Sequence, residues 1–247
     1  MLDLTRDQGP IGRQYRTLAN LNLYSSPELK SLVTQSAPDR WLTIEVKDNP
    51  ESESILPPTV PLKVTLVEDS YPGWLDPKDW HLLAEDSAIY TAPALTRTEI
   101  QARLFEVIAY TQIAMTSENE YLWGGTIAPN YDCSGLMQAA FRNVGVQLPR
   151  DAYQQEDFLE PIVWHGMTDL LEQLLPGDLV FFGTPEKATH VGLYLGNGEY
   201  IHSSGRDHGR NGIGIDRLSG EDLHPVSAHY LASLRGAGRV MKSYSPF

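Results

Sequence analysis

The sequence predicts an α+β protein built in two parts, short strands to about residue 95 and then helices followed by antiparallel strands. Before residue 92, apolar runs are brief and punctuated by Pro, Asn, Asp, Ser and Gly. From "TRTEIQARLFEVIAYTQIAMTS" (96–117) the apolar spacing becomes helical, and from "GDLVFFG" (177–183) it returns to strand-like runs.

Taken in order, the candidate strands of the front part are "RQYRTLANLNLYSSP", "RWLTIEV", "PLKVTLVED", "YPGWLD" and "AIYTAP", enough for a small β-barrel with its core at about 13–92. "DNPESESILPPTVP" (48–61) reads as an exposed loop. The expected division is 1–95 and 96–247. In the first helix Ile100, Leu104, Val107, Ile108 and Ile113 share a face, with Thr98 or Thr96 as cap. In "APNYDCSGLMQAAFRNVGV" (128–146), Leu136, Met137, Ala140, Phe141 and Val144 follow Cys133 at helical spacing. Gly145 ends that helix, and Asp132 or Asn130 caps it.

Next comes the hairpin "ATHVGLYLGNGEYIHSSG". A three-residue turn at Gly196-Asn197-Gly198 pairs Leu195 with Glu199, Tyr194 with Tyr200 and Gly192 with His202. Val191, Leu193, Leu195 and Ile201 then share an apolar face, and His190, Gly192, Tyr194, Tyr200 and His202 share the other. His190 and His202 become diagonal neighbours, with space beside them at Gly192. A register slip of one residue would send the rings to opposite faces.

The 247 residues carry 32 acidic and 19 basic side chains, a net charge of −13. Such a surface repels nucleic acid and anionic membranes, and it is compatible with a substrate bearing a free ammonium. A single cysteine forms no internal disulfide. No basic-then-apolar leader is read at the N-terminus, so cytoplasmic residence is the expectation.

Cys133 at a helix N-terminus would meet unpaired N–H groups and a positive dipole end, which favour a thiolate. A lone cysteine is more commonly a small buried hydrophobe. Adding His190 and His202 gives a nucleophile, a base and a group that fixes the base's tautomer. Cysteine with two histidines also suits an open zinc site, and spacing does not separate the two.

"YLWGG", "YDCSGLMQAAFRNVGVQLPRDAYQQ", "LLPGDLVFFG", "THVGLYLGNGEYIHSSG" and "LRGAGRV" resemble the NlpC/P60 cysteine peptidases over residues 97–247. The front part resembles, more weakly, the bacterial SH3 domain that accompanies them, and the pairing is similar to the cyanobacterial γ-D-glutamyl-L-diamino acid endopeptidases. The resemblance implies a papain-like fold, no cofactor, and a catalytic set of Cys133, His190 and His202. It implies an oxyanion donor at Tyr121, a cleft wall at Trp123, and substrate contact at Ser134. Asp151 would hold the substrate amine and Tyr71 would close the pocket beyond it. Asp151 reads equally as a helix cap, and Tyr71 as a turn residue. Ala152 stands where relatives often carry serine. Glu68 and Asp69 would either add negative potential at the amine or form a solvated face. The implied partner is a small peptide, L-Ala-γ-D-Glu-diamino acid with a free amine, cleaved during cell-wall recycling. An acyltransferase or amidase on the same fold, a silent wall-peptide binder and a zinc hydrolase remain the alternatives. Nothing in the sequence addresses oligomeric state.

Overall fold

The computed structural model describes residues 13–45, 58–220 and 223–246. Among its described residues the front part has seven strands: β1 (Gln14–Thr17), β2 (Leu21–Tyr24), β3 (Leu32–Ser36), β4 (Trp41–Ile44), β5 (Leu62–Leu66), β6 (Tyr71–Leu75) and β7 (Leu83–Asp86). They form one antiparallel sheet in the order β3-β2-β6-β5-β4-β1-β7. Alternation sends Leu21, Leu23, Leu42, Val64, Leu66 and Leu75 into a shared apolar core.

Three expectations change here. The stretch 13–27 splits into β1 and β2, and "AIYTAP" forms no strand. The last strand lies earlier, at β7, where it pairs with β1. The third concerns β3, which was not expected, because its inward residues are polar. Thr34 and Ser36 are both buried, with Thr34 Oγ1 accepting from Arg150 Nε at 3.0 Å and Ser36 Oγ donating to Thr17 Oγ1 at 3.4 Å. Most of the expected loop at 48–61 lies outside the described residues.

After β7 the chain runs to α1 (Arg97–Gln101) and α2 (Leu104–Thr116), so the expected boundary at 95/96 falls in the connecting segment. The single helix foreseen there is two. Thr96 is the cap, its Oγ1 accepting from the Glu99 N–H at 3.3 Å while Glu99 Oε2 accepts from the Thr96 N–H at 2.8 Å. Ile100 and Val107 are buried, but Ile113 is 68% exposed; Thr111 takes the inward place, its hydroxyl donating to Ile108 O at 2.8 Å.

Then follow β8 (Thr126–Ile127), β9 (Asn130–Tyr131), α3 (Cys133–Asn143), α4 (Ala152–Phe158), β10 (Glu160–Pro161), α5 (Met167–Gln173), β11 (Leu179–Gly183), β12 (Ala188–Gly196), β13 (Glu199–Ser204), β14 (Gly212–Arg217), α6 (Pro225–Leu231) and β15 (Leu234–Arg239). The larger sheet has the order β10-β15-β11-β12-β13-β14, with antiparallel pairing throughout. The run "LVFF" in β11 is apolar at every position because both faces of that strand are covered. Leu179 and Phe181 join the core of Leu136, Met137 and Phe141 from α3, and Val180 and Phe182 join Leu170 of α5 with Val226 and Tyr230 of α6.

The β12–β13 hairpin keeps the expected Tyr194–Tyr200 pair, but its turn is tighter. Gly196 faces Glu199, so the turn is Asn197-Gly198 alone, with φ of +54° and +78°. Two positive φ angles suit a type I′ turn, which matches strand twist. Leu195 becomes the extra residue of a bulge and does not pair with Glu199. Gly192 does not hold open space, since a Cβ there would stand 2.6 Å from Cδ2 of Tyr200, whose ring fills it.

Buried polar contacts join the two parts. Arg40 Nη2 lies 2.9 Å from Asp69 and 3.3 Å from Glu68, and Asp69 also accepts from Gln138 Nε2 of α3 at 2.8 Å. Glu68 accepts from the Trp41 N–H at 2.7 Å. The two acids are therefore not a solvated face: both are buried against Arg40, whose single charge offsets one of the two, and Asp69 still raises the Asp151 pKa. Removing one partner of a buried ion pair strands the other charge, at roughly 3–5 kcal/mol. Arg40→Met is expected to lower unfolding free energy by about that amount in urea. A loss below about 1 kcal/mol would contradict the buried pairing.

Candidate active site

Cys133 opens α3, and the local sequence explains why a helix starts there. Asp132 is the N-cap, accepting from the Gly135 N–H at 2.7 Å through Oδ1 and from the Gly124 N–H at 2.9 Å through Oδ2. Gly135 is required, because a Cβ there would collide with Gly125 O. Arg150, itself 1% exposed, holds Asp132 through Nη1 at 3.1 Å and Nη2 at 2.6 Å.

Ser134 is drawn into the same cluster. Its hydroxyl donates to Asp132 Oδ1 at 3.3 Å and accepts from Arg150 Nη1 at 3.1 Å. It is buried, and its hydroxyl is engaged within this cluster.

The thiol is also buried. Burial pushes its pKa up to about 12, Asp132 pushes the same way, and hydrogen bonds from the Val191 and Ser134 N–H groups pull it down without prevailing. Lost hydration thus works against the thiolate expected at a helix end. The Val191 hydrogen bond places the sulfur against β12, one residue from His190. Sγ and His190 form no direct hydrogen bond among the described residues. Catalytic hydrogen bonds are often loose before substrate arrives.

His190 and His202 lie on one side of the sheet, as the register argument required. His190 Nε2 and His202 Nδ1 are 2.6 Å apart, with ring centroids at 4.9 Å. Both are buried, and burial holds both below the ordinary histidine pKa. His190 Nε2 and His202 Nδ1 form a hydrogen bond with each other, one donating and the other accepting; among the described residues no group of three or more His, Cys, Asp or Glu is arranged to hold a metal ion.

Sequence reasoning missed two neighbours. Tyr230 of α6 stacks on His190 at 4.1 Å and 20°, its hydroxyl bonded to Ser204 Oγ at 2.8 Å. Asp216 of β14 meets His202 Nε2 at 2.7 Å. No spacing rule points to Tyr230. The period-2 pattern does point to Asp216, which pairs with Tyr200 and shares the face of His202.

Burial raises the Tyr121 hydroxyl above its usual range and Cys133 raises it further, which puts this ring within electrostatic reach of the thiol. Trp123 is 70% exposed and takes no part in the hydrogen-bond network of Cys133, His190 and His202. Asp151 caps α4, its N–H donating to Gln154 Oε1 at 3.0 Å. Tyr71 reaches it from the front part, its hydroxyl donating to Oδ1 at 3.3 Å. Burial raises the Asp151 pKa and the Arg150 charge opposes that. The two line a cleft of about 450 Å³ with Tyr24, Trp74 and Tyr153; Cys133 is not in its lining.

Residues 118–230 match the model of the NlpC/P60 family. The bifunctional muramidase/DL-endopeptidase of Bacillus subtilis is 40% identical over 90 residues, 34% of this chain and 25% of that protein. The murein DD-endopeptidase/LD-carboxypeptidase of Escherichia coli K12 is 36% identical over 85 residues, 34% of this chain and 42% of that one. An NlpC/P60 family protein of Bacillus cereus of known structure is 20% identical, with 93% of this chain and 64% of that one covered at a TM-score of 0.45. The chain spans less than half the length of the curated relatives described.

Histidines buried in the neutral form link the site to stability. The unfolded chain takes up protons near pH 6.5, whereas the folded imidazoles, held below that value, do so only at lower pH. Stability is therefore full above about pH 7 and falls as pH drops through about 6. Thermal unfolding is expected to show a declining Tm between about pH 7 and 5, less steep in His202→Gln. An equal slope in the two proteins would contradict this.

The thiol's reactivity gives a second check. Alkylation of Cys133 by iodoacetamide at neutral pH is expected to slow by about tenfold or more in His190→Ala, which removes the proton acceptor. An unchanged rate would separate the two residues chemically.

Proposed function

We propose that this chain, carrying an NlpC/P60 domain, is a cysteine peptidase that hydrolyses the γ-D-glutamyl–diamino acid bond of peptidoglycan stem peptides with a free N-terminal L-Ala. The observation that carries the reading is the hydrogen-bonded pair His190–His202, set beside a thiol at the start of α3. The relatives' printed names span DD-, DL- and LD-specific activities, so the choice of bond rests on the sequence resemblance and on the Tyr71–Asp151 contact.

Cys133 gives its proton to His190 as the sulfur adds to the γ-carbonyl carbon of D-glutamate. The oxyanion collects the Cys133 backbone N–H and the Tyr121 hydroxyl. His190 passes the proton to the departing amine, leaving an acyl-enzyme, and then takes a proton from water as the thioester is hydrolysed. His202 keeps the His190 ring oriented throughout.

Asp151 receives the alanine ammonium, and Tyr71 blocks extension beyond it. An ammonium brought to Asp151 offsets the cost of that carboxylate's burial, and an acetylated amine does not. The front part acts as an SH3-like module whose contribution is this wall. Such a pocket suits recycled free peptides in the cytoplasm and spares the intact wall, where muramic acid occupies the amine. Trp123 stands ready as an exposed aromatic wall for bound peptide.

Incubation with L-Ala-γ-D-Glu-diaminopimelate and its N-acetylated form, read by mass spectrometry, is expected to show cleavage of the free-amine peptide only. Asp151→Asn should reduce kcat/KM on that peptide roughly a hundredfold, with the loss mainly in KM. Equal cleavage of both peptides, or of intact sacculi, would overturn the specificity, and activity in Cys133→Ala would overturn the chemistry.

A further inference from the structure

The imidazole pair does not end at His202. Asp216 is buried and accepts from three donors. His202 Nε2 is 2.7 Å and Arg210 Nη2 2.8 Å from Oδ2, and Ser227 Oγ of α6 is 2.6 Å from Oδ1. Ser227 can only donate to Asp216 while it accepts from the Arg217 N–H at 3.2 Å. Arg210 lies across Gly214, which pairs with His202, and a side chain at Gly214 would take the guanidinium's place.

We propose that Asp216 is a positioning residue that sets the direction of every proton in the His190–His202 pair and so makes His190 Nδ1 the basic atom. The inference rests on the reading of Cys133 and His190 as nucleophile and base. A carboxylate has no proton to give, so the hydrogen between it and His202 sits on Nε2 of the imidazole. A neutral imidazole carries one N–H, which leaves His202 Nδ1 bare. The 2.6 Å contact then requires the hydrogen on His190 Nε2, because two bare nitrogens would repel. His190 Nδ1 is left bare in turn, and it is the one ring nitrogen that can serve the thiol. Reversing one link reverses them all. With a hydrogen on Nδ1, His190 would donate toward the sulfur and accept nothing from it.

Burial alone would favour the protonated acid at Asp216, but the hydrogen bonds from His202 and Ser227 and the charge of Arg210 prevail and hold its pKa below the usual value. Burial keeps both rings neutral against the pull of Asp216 on His202, and His208 and His229 push His190 the same way as burial. β14 supplies Asp216, the loop before it supplies Arg210, α6 supplies Tyr230 and His229, the turn after β13 supplies His208, and α3 supplies Cys133.

The test uses the full chain labelled with 15N-histidine, without substrate, at neutral pH. Ring-nitrogen shifts are expected to show His190 and His202 both as Nε2–H tautomers. In Asp216→Ala, His190 should gain Nδ1–H character, and kcat on the free-amine tripeptide should fall roughly a hundredfold or more with KM little changed. Asp216→Asn keeps an acceptor oxygen, which Arg210, a donor to the same Oδ2 that meets His202, orients toward His202, while Ser227 turns to accept from the new amide N–H. It should retain the Nε2–H tautomers and recover most of the lost kcat, which a merely structural role would not predict. Nδ1–H on His190 in the wild type would overturn the inference, as would wild-type tautomers and kcat in Asp216→Ala. Should Asp216→Ala fail to fold, Nδ1–H on His190 in Asp216→Asn would overturn it and Nε2–H there would support it. Because tautomers are read without substrate, cleavage of the peptide with Nδ1–H on His190 sinks only the proton assignment. Expected tautomers without cleavage of any stem peptide sink only the reading of function.

Discussion

The buried ion pair of Arg150 and Asp132 is the contact on which the rest of this architecture depends. Asp132 caps the helix that begins with Cys133, and Arg150 fixes that cap while reaching Thr34 in the front sheet at 3.0 Å. Its guanidinium also lies 5.9 Å from the Tyr71 ring, and its own chain neighbour is Asp151. One cation thus positions the helix that begins with Cys133, the contact of Tyr71 with Asp151 and the junction between the two parts. Burying a guanidinium is costly unless it is well paired, and here two carboxylate oxygens and two hydroxyls pair it.

A second set of polar contacts works from the opposite side of the sheet. Asp216, His202 and His190 form a line of short hydrogen bonds that ends at the strand touching the thiol. Tyr230 covers that line with its ring and leaves its hydroxyl to Ser204. Water is excluded from both sets, which strengthens each contact and makes any unpaired member expensive. Helix α3 and strand β12 therefore bring together Cys133 and His190, whose charged forms are both disfavoured by burial.

The sequence made the meeting of His190 and His202 legible because side-chain period and register are hard geometric rules. Once Tyr194 pairs with Tyr200, His190 and His202 must share a face, and they do. Turn length was less legible, since Gly-Asn-Gly serves both a two-residue and a three-residue turn. Strand β3 escaped because burial of Thr34 and Ser36 depends on partners distant in sequence. For the same reason Glu68 and Asp69 looked free, when Arg40 held them. The thiol's environment was misjudged where a local effect, the helix end, competed with a global one, desolvation. Arg150 carried no local signature at all.

The account stands on the thiol, the imidazole pair and the Asp151–Tyr71 wall serving one bound molecule. A crystal structure of Cys133→Ala with L-Ala-γ-D-Glu-diaminopimelate tests this most directly. The account predicts the alanine ammonium against Asp151, the γ-carbonyl over residue 133 and the scissile nitrogen within reach of His190. A peptide seated elsewhere, or running with its amine away from Asp151, would contradict it.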